Sequence, residues 1–275
     1  MHSKPYRFDG RTALITGAAS GIGRALACEL AKRNAHLALA DLDERGLQET
    51  RALLASDAAT RVSTHVLDVA DREAVAALPS AVLAHHPGVD VLVNNAGVAV
   101  GGSFEQIDER DFEWLFEINF WGVVRMTRAF LPILRASDDA ALVNVSSIFG
   151  IIAPPGQTAY SASKFAVRGF TASLRNELSG SSIFVSTVHP GGIATAIAAN
   201  AREPKDATAA ERERYKKLWQ RMLKMRPETA ATIVADGIER RNARILVGDD
   251  AKTAAWAERL APVSYGKLLK LLSRT

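Results

Sequence analysis

A chain of 275 residues, 48% hydrophobic and 23% charged, has a globular composition and excludes a disordered reading. With 34 basic and 30 acidic residues the net charge is +4, compatible with anionic cofactors or substrates, and no nucleic-acid partner is expected. The single Cys28 excludes an intrachain disulfide and a thiolate metal cluster, and its apolar helical setting predicts a buried, inert thiol.

The polar stretch Met1 to Arg11 lacks the apolar core of a signal peptide, so a cytoplasmic chain is expected. A first strand is predicted at Thr12–Thr16. It runs into Thr16-Gly17-Ala18-Ala19-Ser20-Gly21-Ile22-Gly23 and then a helix over Gly21–Asn34, whose Ile22, Ala25, Leu26 and Leu30 share one face. Glycines there permit a tight turn, let the backbone approach a pyrophosphate and place a helix N-terminus beneath it. The spacing is G-x-x-x-G-x-G, and Arg24 stands where a nucleotide triphosphatase loop would need lysine.

A second strand, His36–Ala40, ends beside Asp41, an acid suited to gripping the adenosine ribose hydroxyls. It disfavours a 2′-phosphate, because like charges ~4 Å apart repel by roughly 4 kcal/mol at an effective dielectric of ~20. Neither Ser20 nor Leu42 supplies an offsetting cation, so NAD is expected over NADP. A third strand follows at Val62–Leu67. His85-His86 precede Pro87-Gly88 in a turn and are expected to be surface imidazoles; no metal site is expected, since no other cluster completes a zinc set.

A fourth strand is predicted at Val89–Val93, then one long helix over Asp108–Leu131 with the stripe Phe112, Leu115, Ile118, Val123 and Met126. The fifth strand, Ala140–Val145, opens the longest uncharged run, Ala140–Ser163. Its Asn144, Ser146, Ser147, Pro154, Pro155 and Gln157 make it a poor membrane span. Tyr160-Ser161-Ala162-Ser163-Lys164 opens a helix on which Lys164 lies beside Tyr160. A free phenol titrates near ~10, and a neighbouring ammonium is expected to lower it toward a useful acid/base range.

Strands at Ile183–Val188 and Arg244–Val247 complete the set. His189, after the sixth strand, reads as a bystander because Tyr160 already covers the acid/base role. From about residue 195 to Met225 the chain turns Ala-rich, then charged and helical, as an insertion between the sixth strand and the last helix. There Tyr215, Leu218, Trp219, Met222 and Leu223 form one apolar stripe flanked by basic residues. Tyr265, Leu268, Leu269 and Leu272 repeat the spacing near the C-terminus, where burial is favoured over contact with an anionic membrane. Strands alternating with helices, and apolar throughout, predict an α/β doubly wound, Rossmann-type, seven-stranded parallel sheet covered on both faces, as one domain over residues 1–275.

With these motifs in order, the chain resembles the short-chain dehydrogenase/reductase family. Thr16–Gly23 is similar to its cofactor loop, Asp68-Val69 to its adenine-contacting pair and Asn94-Asn95-Ala96-Gly97 to its signature after the fourth strand. Asn119, Ser147, Tyr160 and Lys164 match its catalytic tetrad, and Pro190-Gly191 with Thr195 its nicotinamide-contacting segment. The resemblance implies a nicotinamide cofactor held by Gly17, Ser20, Gly21, Ile22, Gly23, Asp41, Asp68, Val69, Asn95, Ala96, Gly97, Tyr160, Lys164, Pro190, Gly191, Ile193 and Thr195.

The same resemblance implies that Tyr160 exchanges a proton with the substrate oxygen while hydride moves to or from the nicotinamide. Ser147 would orient that oxygen, Lys164 would hold the ribose and depress the tyrosine pKa, and Asn119 would position a water linking Lys164 to solvent. The substrate is then a small-molecule alcohol or ketone, and the insertion at about 195–225 a lid favouring bulky or lipophilic ones. Homodimers or tetramers are implied, through the helices starting near Asp108 and Tyr160. Two alternatives stand beside this: a membrane-peripheral lipid or acyl-chain reductase, and a non-catalytic dinucleotide sensor.

Overall fold

The computed structural model describes residues 4–54, 60–204 and 207–267, without the side chains of residues 214–216, 218 and 220. Seven strands, β1 (Thr12–Thr16), β2 (His36–Asp41), β3 (Val62–Val66), β4 (Val91–Asn94), β5 (Ala140–Val145), β6 (Ile183–Pro190) and β7 (Arg244–Val247), form one sheet. All pairs are parallel and the order is β3-β2-β1-β4-β5-β6-β7. The helices are α1 (Gly21–Ala31), α2 (Glu44–Leu54), α3 (Arg72–Leu83), α4 (Glu109–Phe116), α5 (Gly122–Ala136), α6 (Thr158–Glu177), α7 (Ala209–Met222), α8 (Pro227–Glu239) and α9 (Asp249–Leu260).

Helices on both faces explain why the central strands are buried at every position and mostly apolar: β1, β4 and β5 are buried throughout. Ala13 and Ile15 join Leu26 and Leu30 of α1 and Val234 and Ile238 of α8 in one core. Leu14, pointing the other way, joins Leu78 of α3 and Phe130 and Leu134 of α5 in a second. Each such leucine or phenylalanine contributes ~1.5–3 kcal/mol by leaving water. A buried polar ladder crosses the second layer: Asn94 Nδ2 donates to Asn144 Oδ1 at 2.8 Å, and Asn144 Nδ2 to Thr171 Oγ1 at 2.9 Å. The strand order reverses between β1 and β4, which opens a crevice beyond their carboxyl ends.

Some expected boundaries move. β4 starts at Val91, two residues late, because Asp90 turns its carboxylate to the Thr12 N–H (2.9 Å) and to Arg11. β6 runs on to Pro190, since His189 and Pro190 pair with Leu246 and Val247. α1 stops at Ala31, and Asn34 takes a left-handed φ of 61°. The long helix expected at Asp108–Leu131 is instead α4, a π-helical turn Glu117–Trp121, and α5. Two helices and a strand follow the insertion: α8, β7 and α9.

Two histidine and cysteine expectations also change. His86 is buried at the end of α3, with Nε2 2.9 Å from Ser63 Oγ. Cys28 is half-buried, and burial raises its thiol pKa. Among the described residues no helix is long and apolar enough to cross a membrane. Leu268, Leu269 and Leu272 of the C-terminal stripe, and the side chains of Tyr215 and Leu218, lie outside the described residues.

Candidate active site

The crevice is built first by the glycine loop between β1 and α1. Gly17 and Gly21 carry positive φ (69° and 54°), conformations a side chain rarely takes. Thr16 Oγ1 accepts from the N–H groups of Asn95 and Ala96 at 3.0 and 3.1 Å, and Asn95 Nδ2 returns to the Thr16 carbonyl at 3.0 Å, so the loops after β1 and β4 are tied together. Gly23 stands behind this loop: a Cβ there would lie 2.0 Å from the Gly17 carbonyl, so it serves close helix–loop packing and does not line the cleft.

The cleft wall includes Gly17, Ser20, Gly21, Ile22, Asp41, Asp68, Val69, Asn95, Ala96, Gly97 and Thr195. Ser20 precedes α1 without capping it, so the first N–H groups of that helix have no side-chain partner and suit an anion. A Cβ on Gly97 would sit 3.3 Å from Lys164 Nζ, and one on Gly21 3.1 Å from Thr195 Cγ2, so glycine keeps the cleft open at both places. The Asp41 carboxylate is aimed by the N–H groups of Ala19 (2.9 Å) and Asp43 (3.1 Å). Arg24 of α1 and Arg45 of α2 both pair with Glu49. These residues fit a dinucleotide, with Asp41 at one end of the cleft.

The chemistry end adjoins it. Ser147 follows β5 and its Oγ accepts from the Phe149 N–H at 3.1 Å, capping a short 3-10 turn, Ile148–Gly150. Tyr160 and Lys164 sit one turn apart near the start of α6, and Ser146 Oγ pins that helix by donating to the Lys164 carbonyl at 2.8 Å. Lys164 Nζ lies 5.7 Å from the Tyr160 ring centroid and donates to the Val145 carbonyl at 3.1 Å. Asn119 lies in the π-helical turn, fully buried. It bonds the Val98 N–H and carbonyl (2.8 and 2.9 Å) and donates to Ser163 Oγ, which donates to the Tyr160 carbonyl.

The expectation that Lys164 lowers the tyrosine pKa is not met. Burial pushes the Tyr160 phenol up to about 12, against a hydrogen bond to Ser147 that pulls it down. Burial also pushes the Lys164 ammonium down to about 8. Withdrawal from water outweighs a cation held near the ring face.

A family model described as short chain dehydrogenase matches residues 11–206. The chain belongs to that family. It is 44% identical over 265 residues, 95% of each chain, to the Mycobacterium tuberculosis protein described as "Putative oxidoreductase SadH". It is 35% identical over 206 residues to the 3-oxoacyl-(acyl-carrier-protein) reductase FabG of Thermotoga maritima, covering 75% of this chain and 83% of that one. Among solved structures, a short chain dehydrogenase/reductase from Burkholderia phymatum in complex with NAD superposes with a TM-score of 0.85. The identity is 33%, covering 93% of this chain and 95% of that one.

In this short-chain dehydrogenase a second cavity holds Ser147, Tyr160 and Lys164 together with Pro190, Gly191, Ile193 and Thr195. Ile148, Phe149, Ile197, Trp219, Met222 and Leu223 supply its apolar wall, so the described part of the insertion's stripe does face the site. Phe149 links the two sides, with its ring 6.1 Å from Tyr160 and 6.4 Å from Trp219.

Gly192 and Asp250 escaped the sequence reading. Asp250 Oδ2 accepts from the Gly192 N–H at 2.6 Å, and the Gly192 carbonyl accepts from Lys224 and Met225 at 3.0 Å each, so the far end of α7 is clasped to the β6 loop. The Gly191-Gly192 doublet was the available signal, since a Cβ on Gly192 would collide with the Met222 carbonyl at 1.9 Å. His189 is buried against Ser147, its Nδ1 3.0 Å from the Ser147 carbonyl.

Proposed function

We propose that this short-chain dehydrogenase interconverts an alcohol and a carbonyl compound, with NAD as hydride carrier. The observation that carries the reading is the convergence of Ser147, Tyr160 and Lys164 on a cavity that shares Ile22, Asn95 and Gly97 with the dinucleotide cleft. A bound nicotinamide dinucleotide supplies or accepts the hydride. In reduction Tyr160 gives its phenolic proton to the substrate oxygen, and in oxidation it takes the proton back. A phenol held at about 12 keeps that proton at neutral pH, the state that reduction needs.

Ser147 donates to the same oxygen and fixes its direction. Lys164, facing Gly97, holds the ribose, while Asn119 braces the start of α6 through Ser163. The uncapped N-terminus of α1 holds the pyrophosphate, Asp41 the adenosine ribose, and Asp68-Val69 the adenine edge. Pro190, Gly191, Ile193 and Thr195 face the nicotinamide end. Asp41, with Arg24 and Arg45 turned to Glu49, favours NAD over NADP.

Residues 1–275 act in this reading as one catalytic unit, with 195–225 as its lid. The apolar wall from Ile148 to Leu223 favours a bulky or lipophilic substrate. A second reading, an acyl-chain reductase, draws on the likeness to FabG. Of the lid cations, Arg212 and Lys217 are paired with Glu203 and Glu213. Trp121 and Phe165, exposed on the π-helical turn and α6, support self-association through those helices.

The test is a panel of alcohols and ketones graded by chain length and ring size, followed by NADH absorbance, on wild type and Tyr160→Phe. The variant is expected to lose ~10²–10⁴-fold in turnover while holding cofactor affinity within a few-fold. Activity within about tenfold of wild type would remove Tyr160 from the acid/base role.

A further inference from the structure

His189 is a buried, hydrogen-bonded imidazole that the proposed chemistry does not use. It is the penultimate residue of β6, beside Pro190, and its ring reaches across to the loop after β5. The Ser147 carbonyl accepts from two donors: the Gly150 N–H at 2.9 Å, which closes the 3-10 turn, and His189 Nδ1 at 3.0 Å. A carbonyl only accepts, so the ring proton of His189 is on Nδ1. Both lone pairs of that carbonyl are therefore engaged, and the peptide bearing Ser147 cannot tilt without losing one of them.

We infer that His189 is a positioning residue for Ser147: its Nδ1–H holds the Ser147 carbonyl and thereby aims the Ser147 hydroxyl at the substrate oxygen beside Tyr160. The inference rests on the reading of Ser147 given above. Three further features sharpen it. Arg168 donates to the Gly150 carbonyl at 3.1 Å, so the Ser147–Gly150 turn is held from α6 at one end and from β6 at the other. The Ser146 N–H donates to the Val188 carbonyl at 2.8 Å, so the strand carrying His189 also grips the residue before Ser147. And His189 directly precedes Pro190 and Gly191 in the cavity wall, so one side chain couples the cofactor-facing segment to the substrate-facing hydroxyl.

The ring is neutral in this role. Burial pushes its pKa down to about 4, and the cations Arg244, Arg168 and Arg175 act in the same direction, against the hydrogen bond to the Ser147 carbonyl. It contributes a fixed donor rather than a titrating proton.

The experiment compares His189→Leu, His189→Asn and His189→Gln. Leucine keeps bulk without a donor, asparagine places an N–H where Nδ1 stood, and glutamine moves it one bond outward. With a good substrate, His189→Leu is expected to lower kcat by about 10- to 100-fold, the scale of a misplaced reacting group, while KM and NADH affinity stay within about twofold. His189→Asn is expected to recover most of kcat and His189→Gln little of it. Thermal unfolding of each variant separates positioning from loss of fold. If the leucine variant does not fold, the asparagine–glutamine contrast carries the test.

A long-range ¹H–¹⁵N spectrum of the wild-type imidazole gives a readout free of turnover, with the Nδ1–H tautomer expected. The Nε2–H tautomer, a leucine variant with wild-type kcat, or equal kcat for asparagine and glutamine would each overturn the inference. If Tyr160→Phe is inactive while His189→Leu is fully active, this inference fails alone. If Tyr160→Phe is active, the reading of the whole site fails with it.

Discussion

The two ends of the crevice are built differently. At the cofactor end, position is set by backbone and short polar ties: Gly17 and Gly23 in contact, Thr16 bonded to Asn95 and Ala96, Asp41 aimed by two N–H groups. At the lid end, α7 is held at two clasps. One is the Gly192–Met225 contact; the other is Arg202, stacked on Trp114, paired with Asp111 and bridged through the Val100–Arg202 backbone. Between the clasps Trp219 and Leu223 are only partly buried and Met222 is exposed. In the proposed reading the chemistry rests on loops tied through their backbones, and selectivity on side chains of a helix anchored at both ends. Changes at the first end should act on every substrate alike, and changes at the second should act on some more than others.

Cofactor choice gives the largest expected contrast. kcat/KM with NAD should exceed that with NADP by at least about tenfold, since repulsion between Asp41 and a 2′-phosphate has a scale of roughly 4 kcal/mol before solvent screens it. Asp41→Ala should narrow the gap for every substrate. A ratio near unity in wild type would mean that Arg24 or Arg45 leaves Glu49 to meet the phosphate.

The lid should show a smaller, substrate-dependent effect. Across a homologous alcohol series, kcat/KM should climb by at most about fourfold per methylene, the value of ~0.8 kcal/mol for a buried CH₂, and then level off. A Trp219→Ala/Met222→Ala double variant should flatten that climb and leave the shortest alcohol untouched. A slope unchanged in the double variant would show that the tail of the substrate lies elsewhere and would erase the contrast between the two ends.

The smallest effect concerns the sheet edge beneath the cofactor end. His86 bonds Ser63 through Nε2, its Nδ1 has no hydrogen-bond partner among the described residues, and burial pushes its pKa down to about 4. An unfolded histidine titrates near ~6.5. Between those values the unfolded chain binds the extra proton, so stability is complete above about pH 6.5 and falls as pH drops toward 4. Tm measured across that window should decline, and His86→Gln should make the decline shallower. An equally steep decline in the variant would assign it to other groups, with His65 and His189, both also lowered, next in line.

All seven strands were legible, and β1, β5 and β7 to the residue, because strands of a covered sheet are short, mostly apolar runs. Less visible was whatever depends on a partner distant in sequence. β4 was placed two residues early, since nothing local reveals that Asp90 will turn to Thr12. His86 was placed at the surface by its Pro-Gly neighbours, while Ser63, 23 residues away, draws it inside. The helical spacing of Tyr160 and Lys164 was readable, yet the depth at which both are buried was not, and depth decides the direction in which the phenol shifts. His189 looked idle for the same reason: its partner is a backbone carbonyl 42 residues earlier.

The π-helical turn at Glu117–Trp121 carries one residue more than a regular turn. The helix pair α4–α5 is therefore wound around one residue more than a regular helix would hold at that place. Leu115 before it and Val123 and Met126 after it all reach buried positions, and Asn119 reaches the Val98 backbone from within the wide turn. Removing one codon there would restore regular winding and turn everything beyond it by about 100°, rolling Val123 and Met126 off the core and drawing Asn119 away from Val98. No substitution in the chain can reproduce that rotation, so this part of the site is fixed by the number of residues as firmly as by their identity.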